Sequence, residues 1–432
     1  MEAEGTRAPN SPAPVSLLHV PLEPSRTVAE LRELRELTGD ADGAQRICWT
    51  DAWALAREWM RGKLAALPVE VEVDEAGNQW ATLTGDSERA VLIGGHIDSV
   101  PNGGWLDGCL NVLAGLEVLR RVAAEGRPPV TLRLVDWADE EGARFGRSLF
   151  GSSACSGTLD PGDLESLRDR DGVPLPDALA AHGVDLRRAT ECEHQLGTAA
   201  AYLELHIEQG PVLESLGLPL GVVLGTVGVE RHRIRFTGQS AHAGSTPMDR
   251  RRDAFGAAAK LGLEIREIAT RNGGVSTVGS CVTRPGIVTA VVGECEITLD
   301  QRHLDADTLA RMLAQAKDAG GQIASEEKVE VEWERIWQIH PIHFDRALVE
   351  LADESIREIA GASRRLPSGP LHDAAEVSRA GVPTVMLFVQ SLRGLSHTKL
   401  EDTKPEHLEL SVRALDRLAT KTIERVAAAP AA

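Results

Sequence analysis

Ala90-Val-Leu-Ile-Gly-Gly-His96-Ile-Asp98-Ser-Val-Pro-Asn-Gly-Gly-Trp-Leu-Asp107-Gly108 is the stretch on which the reading of this chain turns. A β-rich apolar run ends in two glycines, and a histidine and an aspartate follow it into a loop. A second aspartate closes the loop. A helix is expected over residues 110–124, with Leu113, Leu116 and Leu119 on or near one face. His96 and Asp107 have the chemistry of metal ligands, and Asp98 is suited to hold the other ring nitrogen of His96.

The same arrangement recurs downstream. A strand expected over residues 130–138 runs into Asp139-Glu140-Glu141-Gly142. A strand over residues 200–207 carries His206-Ile-Glu208-Gln209-Gly210, and a buried strand over residues 383–389 leads to Gly394-Leu-Ser-His397. Strands alternating with helices, with polar groups at the strand ends, predict a doubly wound α/β sheet. Sites in such sheets form outside the carboxyl ends of the strands.

Residues 1–26, rich in Pro, Ala, Ser and Glu, read as a disordered tail. Helices over 28–38 and 51–67 follow, with Thr27 and Thr50 as expected caps. Residues 69–73 and 79–83 form a hairpin about Ala76-Gly77-Asn78. From residue 229 the rhythm changes to a strand (229–236), a helix (247–271), two strands (275–282 and 289–302), a helix (305–325) and a strand (329–339). That order is the split, ferredoxin-like α+β unit. The expectation is therefore a mixed α/β domain built from residues 27–227 and 341–432, with residues 228–340 inserted into it. A helix over 346–360, a short helix within 368–379 and a closing helix over 404–426 complete the outer domain.

The 432 residues carry a formal net charge of −19, which argues against nucleic acid and anionic membrane as partners. Aromatic content is 3%, with Tyr202 the single tyrosine, so no platform for stacking bases is expected. The six cysteines show no C-x-x-C spacing and read as reduced, mostly buried thiols. No secretory leader or long apolar run is legible, and a cytoplasmic location is expected.

His96, Asp107, His206, His397 and one of Glu140 and Glu141 make a donor set suited to zinc, manganese or similar divalent ions. Neighbouring side chains on an extended segment point opposite ways, so one glutamate of the pair binds metal and the other is left for proton transfer. The plainer readings are a hydrogen-bonded core histidine and a solvated acidic pair.

The runs quoted so far resemble the amidase branch of the M20 zinc-peptidase family, together with Glu141-Gly-Ala-Arg-Phe-Gly146, Gly238-Gln-Ser-Ala-His242-Ala-Gly and Ser396-His397. That branch holds N-carbamoyl-L-amino-acid hydrolases, β-ureidopropionases and allantoate amidohydrolases. The resemblance covers about residues 27–425. It implies two divalent ions per subunit (zinc or manganese, with cobalt or nickel as alternatives). Asp107 would bridge them with its carboxylate and be followed by a cis peptide to Gly108, with His96 and His206 at one ion and Glu141 and His397 at the other. Glu140 would be the general base. His242 would reach the partner subunit's active site. Gln209, and Arg302 as a carboxylate clamp, would contact substrate. The inserted unit would be a lid and the interface of a homodimer. Arg302 pairing with Asp300 or Asp305 at the surface is the plainer alternative.

The chain departs from the family pattern along the substrate wall. Thr289 stands in place of an asparagine, and Ser368-Gly369-Pro370-Leu-His-Asp373 replaces a Ser-Gly-Ala-Gly-His-Asp loop. Gln390 stands where proline is usual, and Asn111 where glycine is common. Gly369, Pro370 and Thr289 are thus expected at the substrate. The resemblance implies a metal-dependent amidohydrolase cleaving a linear ureido or amide C–N bond of a small carboxylate-bearing substrate. The alternatives are a dipeptidase or aminoacylase, and a metal-containing binding protein that has lost turnover.

Overall fold

The computed structural model describes residues 21–430. Its larger sheet has nine strands. The central four are parallel: Thr384–Val389, Ala199–Ile207, Ala90–His96 and Thr131–Trp137, in that spatial order. Ala90–His96 and Thr131–Trp137 are buried at every residue, as strands covered on both faces must be. Antiparallel strands flank this core: Gln79–Leu83 and Glu70–Val73 on one side, Leu220–Thr226 on the other. Arg364–Ser368 pairs parallel with Leu220–Thr226, and Ile342–His343 pairs antiparallel with it.

Helices Cys109–Glu125, Arg346–Ala360 and Pro405–Ala428 form one layer against the sheet, with Pro24–Thr38 packed on Cys109–Glu125 and Pro405–Ala428. Phe150–Cys155 and Asp373–Arg379 form a second group. Leu113, Leu116 and Leu119 are fully buried, as the helical period required.

Between Leu220–Thr226 and Ile342–His343 the chain builds a separate four-stranded sheet. Its spatial order is Val275–Arg284, Glu294–His303, Gly228–Thr237, Glu330–Ile339, and all neighbours are antiparallel. Helices Ala254–Asn272 and Ala306–Glu327 cover one face and enclose a core of its own with Ile234, Phe236, Leu261, Ile297, Leu299 and Met312. The elements follow in the expected β-α-β-β-α-β order.

Several boundaries move for identifiable reasons. Of the expected tail, residues 1–20 lie outside the described residues, and the remainder is not disordered throughout. Pro24 opens helix Pro24–Thr38, where a missing N–H costs nothing, and Arg26 Nε donates to Glu117 at 2.8 Å. Thr27 is therefore a buried residue of the first turn rather than a cap. Thr50 precedes Asp51–Leu64 but turns its hydroxyl back to the Ile47 carbonyl at 2.6 Å. The helix expected from residue 247 begins at Ala254, because Asp253 accepts from the Phe255 and Gly256 N–H groups. The strand expected over 289–302 divides into Ala290–Val291, which pairs with Ala241–His242, and Glu294–His303. Leu220–Thr226 and Arg364–Ser368 had no counterpart in the sequence reading.

Candidate metal centre and cleft

The four parallel strands deliver the candidate residues to one place. His96 is the last residue of its strand, and His206 is the penultimate residue of its own. Glu140 and Glu141 lie just beyond Trp137, and Asp107 ends the loop before Cys109–Glu125. His397 arrives from the loop after Thr384–Val389 and is half exposed.

Two groups of donor atoms result, one of His96, Asp107 and His206 and one of Asp107, Glu141 and His397. Asp107 belongs to both. Its Oδ1 lies 3.0 Å from His206 Nε2 and 3.8 Å from His96 Nε2, and its Oδ2 lies 3.5 Å from His397 Nε2. Glu141 Oε2 lies 3.3 Å from His397 Nε2. Donors around a tetrahedral ion at about 2.0–2.1 Å stand roughly 3.3–3.4 Å apart, which is the scale of these separations. His96 Nε2 and Glu141 Oε1 are buried with no hydrogen-bond partner among the described residues. Such orphaned groups are costly unless something else binds them. The residues present therefore fit divalent ions.

Glu140 stands outside both groups. Its Oε2 lies 3.7 Å from His96 Nε2 and its side chain is nearly buried. Burial, reinforced by Asp373, Glu141 and Asp98, raises its pKa well above the ordinary carboxylate value despite His96 nearby. Burial opposes charge on His96 too, but Glu140, Asp98 and Asp107 outweigh it and hold its pKa well above that of free imidazole. Burial would raise the Asp107 pKa, but His206, His96 and His397 draw it below the usual carboxylate range.

Asp98 supports the centre in two ways. His96 Nδ1 is 3.1 Å from the Asp98 main-chain carbonyl and 3.5 Å from its carboxylate. The carboxylate accepts from the Glu140 and Glu141 N–H groups at 3.3 and 3.2 Å. The contact with the ring is thus chiefly through backbone, while the side chain fixes the glutamate pair. Gly108 has φ 65, and a Cβ there would sit 2.3 Å from His96 Cε1, so only glycine lets the loop approach the ring. The peptide joining Asp107 to Gly108 is trans, which corrects the cis bond implied by the resemblance; among the described residues the cis bond is Arg284–Pro285.

Gln209 Nε2 donates to Asp107 Oδ2 at 2.9 Å. Asp139, Gln209 and His397 have φ of 55, 55 and 56, left-handed values that gather where side chains must be aimed. Gln209 and His397, with Asp107, Glu140, Glu141 and His206, line a cavity of about 300 Å³, large enough for a small molecule. The larger domain contributes Gly369, Pro370, Leu371 and His372, and the inserted sheet contributes Val229, Arg231, Arg302 and Trp337.

Arg302 faces this cleft but already has partners. Its Nε and Nη2 donate to Asp300 at 2.7 and 3.2 Å, and Nη1 to the Gly369 carbonyl at 3.1 Å. The surface pairing with Asp300 and the cleft position are both realised. His242 and Thr289 do not line the cleft of their own chain. They lie together on the short ribbon Ala241–His242 with Ala290–Val291, where Ala243 N donates to the Thr289 carbonyl at 2.8 Å.

Sequence reasoning passed over several contributors. Glu401 accepts from the Leu106 and Asp107 N–H groups at 3.0 and 3.1 Å, and its Oε2 lies 3.1 Å from Ser396 Oγ. Ser396 in turn donates to Asp107 Oδ2 at 2.8 Å. Burial, helped by Asp107, raises the Glu401 pKa to about 7. Nothing local in the sequence marks Glu401, since the N–H groups it accepts from lie almost three hundred positions away. His372 was legible in its loop; its ring packs 4.3 Å from that of His206, and burial lowers its pKa well below the free value.

A mixed α/β sheet with carboxylate and imidazole donors gathered at its strand ends has the make-up of a hydrolase whose residues fit divalent ions. Residues 92–421 match the family described as Peptidase family M20/M25/M40, and the chain belongs to that family. It is 35% identical to an N-carbamoyl-L-amino acid amidohydrolase of Geobacillus stearothermophilus, over 91% of this chain and 97% of that one. It is 34% identical to the allantoate amidohydrolase of Escherichia coli K12, over 87% of this chain and 92% of that one. Among solved structures, a hydantoinase/carbamoylase family amidase of Burkholderia multivorans superposes with a TM-score of 0.85 at 31% identity, covering 95% of this chain and 99% of that one.

Proposed function

We propose that this chain is a metal-dependent amidohydrolase of carbamoylase type, cleaving a linear ureido or amide C–N bond in a small carboxylate-bearing substrate. The observation that carries the metal-dependent part of this reading is Asp107, whose two oxygens serve two separate donor groups. The relatives named as amidohydrolases, matched over most of the chain, support the reaction class.

His96, Asp107 and His206 would hold one divalent ion and Asp107, Glu141 and His397 the other, as zinc or manganese, with cobalt or nickel also suited to these donors. Ions bound there would polarise a carbonyl and bring the pKa of a water to about 7. Glu140, outside both groups, would take the proton from the attacking water and pass it to the leaving nitrogen. Gln209 and the Gly369–Pro370 turn would orient the substrate, and Arg302 would bind its carboxylate.

Residues 228–340 would act as lid and dimer interface. His242, exposed and away from its own cleft, would then serve the partner subunit as an oxyanion donor, with Thr289 beside it at the substrate. Six free thiols, five of them buried, fit a reducing cytoplasm. Among the described residues no helix is long and apolar enough to cross a membrane.

The test is amine release from a panel of N-carbamoyl-L-amino acids, allantoate, N-acyl amino acids and dipeptides. Ureido substrates should be hydrolysed and chelation should stop the reaction. Turnover of dipeptides alone would make the chain a peptidase, and no turnover with full metal would make it a binding protein. Mixing His242→Ala with Glu140→Gln chains should restore activity in heterodimers. No recovery despite proven subunit exchange would sink the sharing of His242.

A further inference from the structure

The exposed face of the inserted sheet carries a charge ledger that fails to balance at one end. Arg231, Arg233 and Arg235 alternate along the strand Gly228–Thr237. Arg233 meets Glu296 at 3.4 Å and Glu334 at 2.7 Å. Arg235 meets Glu296 at 3.0 Å and Glu294 at 3.6 Å. Arg231 and Arg302, at the end that lines the cleft, share the single carboxylate of Asp300. Two guanidiniums against one carboxylate leave a positive charge facing the cavity.

A guanidinium has five N–H groups. Arg302 commits three, two to Asp300 and one to the Gly369 carbonyl, so two remain, enough for one carboxylate. Arg231 commits only Nε, to Asp300 Oδ2 at 2.7 Å, and its four Nη hydrogens have no acceptor among the described residues. The Arg231 fork is held in place, because its Cζ lies 4.6 Å over the Trp337 ring and Asp300 and Trp337 are its direct cross-strand neighbours. Both rotamer-limiting partners are part of the sheet, so the fork is organised before any ligand arrives.

We propose that Arg231 forms a second anion subsite in the cleft, and that the preferred substrates are ureido or amide compounds bearing two carboxylates, one for Arg302 and one for Arg231. This rests on the amidohydrolase reading and adds the substrate class. Arg231 is a specificity-determining residue, with Trp337 and Asp300 positioning it.

The test compares N-carbamoyl-L-glutamate with N-carbamoyl-L-glutamine, which differ in the charge of one end group, on wild type, Arg231→Gln, Arg231→Lys and the control Arg233→Gln. Wild type should favour the glutamate compound in kcat/KM. Arg231→Gln should lower that preference by at least about tenfold, mainly through KM, since a charged hydrogen-bond pair is lost. Lysine should restore part of it, and Arg233→Gln should leave it unmoved. Equal losses for both compounds, or no change, would overturn the proposal. Equilibrium binding of glutarate against glutaramate keeps the two readings apart. Tighter glutarate binding that depends on Arg231, without hydrolysis of any ureido compound, would sustain the subsite and sink the amidohydrolase reading. Hydrolysis with unmoved preferences would do the reverse.

Discussion

Asp107 turns one oxygen to His96 and His206 and the other to His397, while Glu140 stands close to His96 but outside both donor groups. The proposed division of labour between a bridging acid and a free acid makes a sharp prediction. Glu140→Gln keeps the shape of the side chain and should keep bound metal, yet lose about 10²–10⁴-fold in turnover. Metal analysis beside steady-state rates checks it; a rate within a few-fold of wild type would leave Glu140 with no part in proton transfer. The residues legible in the sequence were those announced by a strand end and a glycine nearby, such as His96 and Glu141. Glu401 and Arg231 were not, because their meaning lies in partners across the fold. Glu401 is defined by the N–H groups it collects at Leu106 and Asp107, and Arg231 by its cross-strand neighbours Asp300 and Trp337.

Elements were readable where period and caps agreed. Residues 346–360 were expected as a helix, and Arg346–Ala360 is one, with Asp345 accepting from the Leu348 N–H at 2.9 Å. Asp345→Ala should lower stability by about 0.5–2 kcal/mol, as loss of a cap does, without altering metal content. A denaturation midpoint indistinguishable from wild type would show that the cap is redundant. Readability failed where tertiary pairing overrode the local pattern. Leu220–Thr226 is interrupted by Gly221 and Gly225 and gains its strand state from Thr384–Val389 and Arg364–Ser368. The run over 289–302 looks continuous, yet its first part pairs with Ala241–His242 instead of the main ladder.

On the scale of the whole molecule, two sheets face one cleft. The larger supplies His96, Asp107, Glu141, His206 and His397 from the carboxyl side of its parallel strands, and the smaller supplies Arg231, Arg302 and Trp337. The β-α-β-β-α-β order made the inserted sheet visible in the sequence, while the pairing of its cleft-lining arginines through Asp300 needed the folded register. Metal content per chain tests the central claim, the bridging role of Asp107, most directly. After loading with zinc or manganese and gel filtration, wild type should carry close to two ions per chain, and Asp107→Ala should lose most of both at once. Retention of two ions and of activity by Asp107→Ala would contradict a centre built on that bridge.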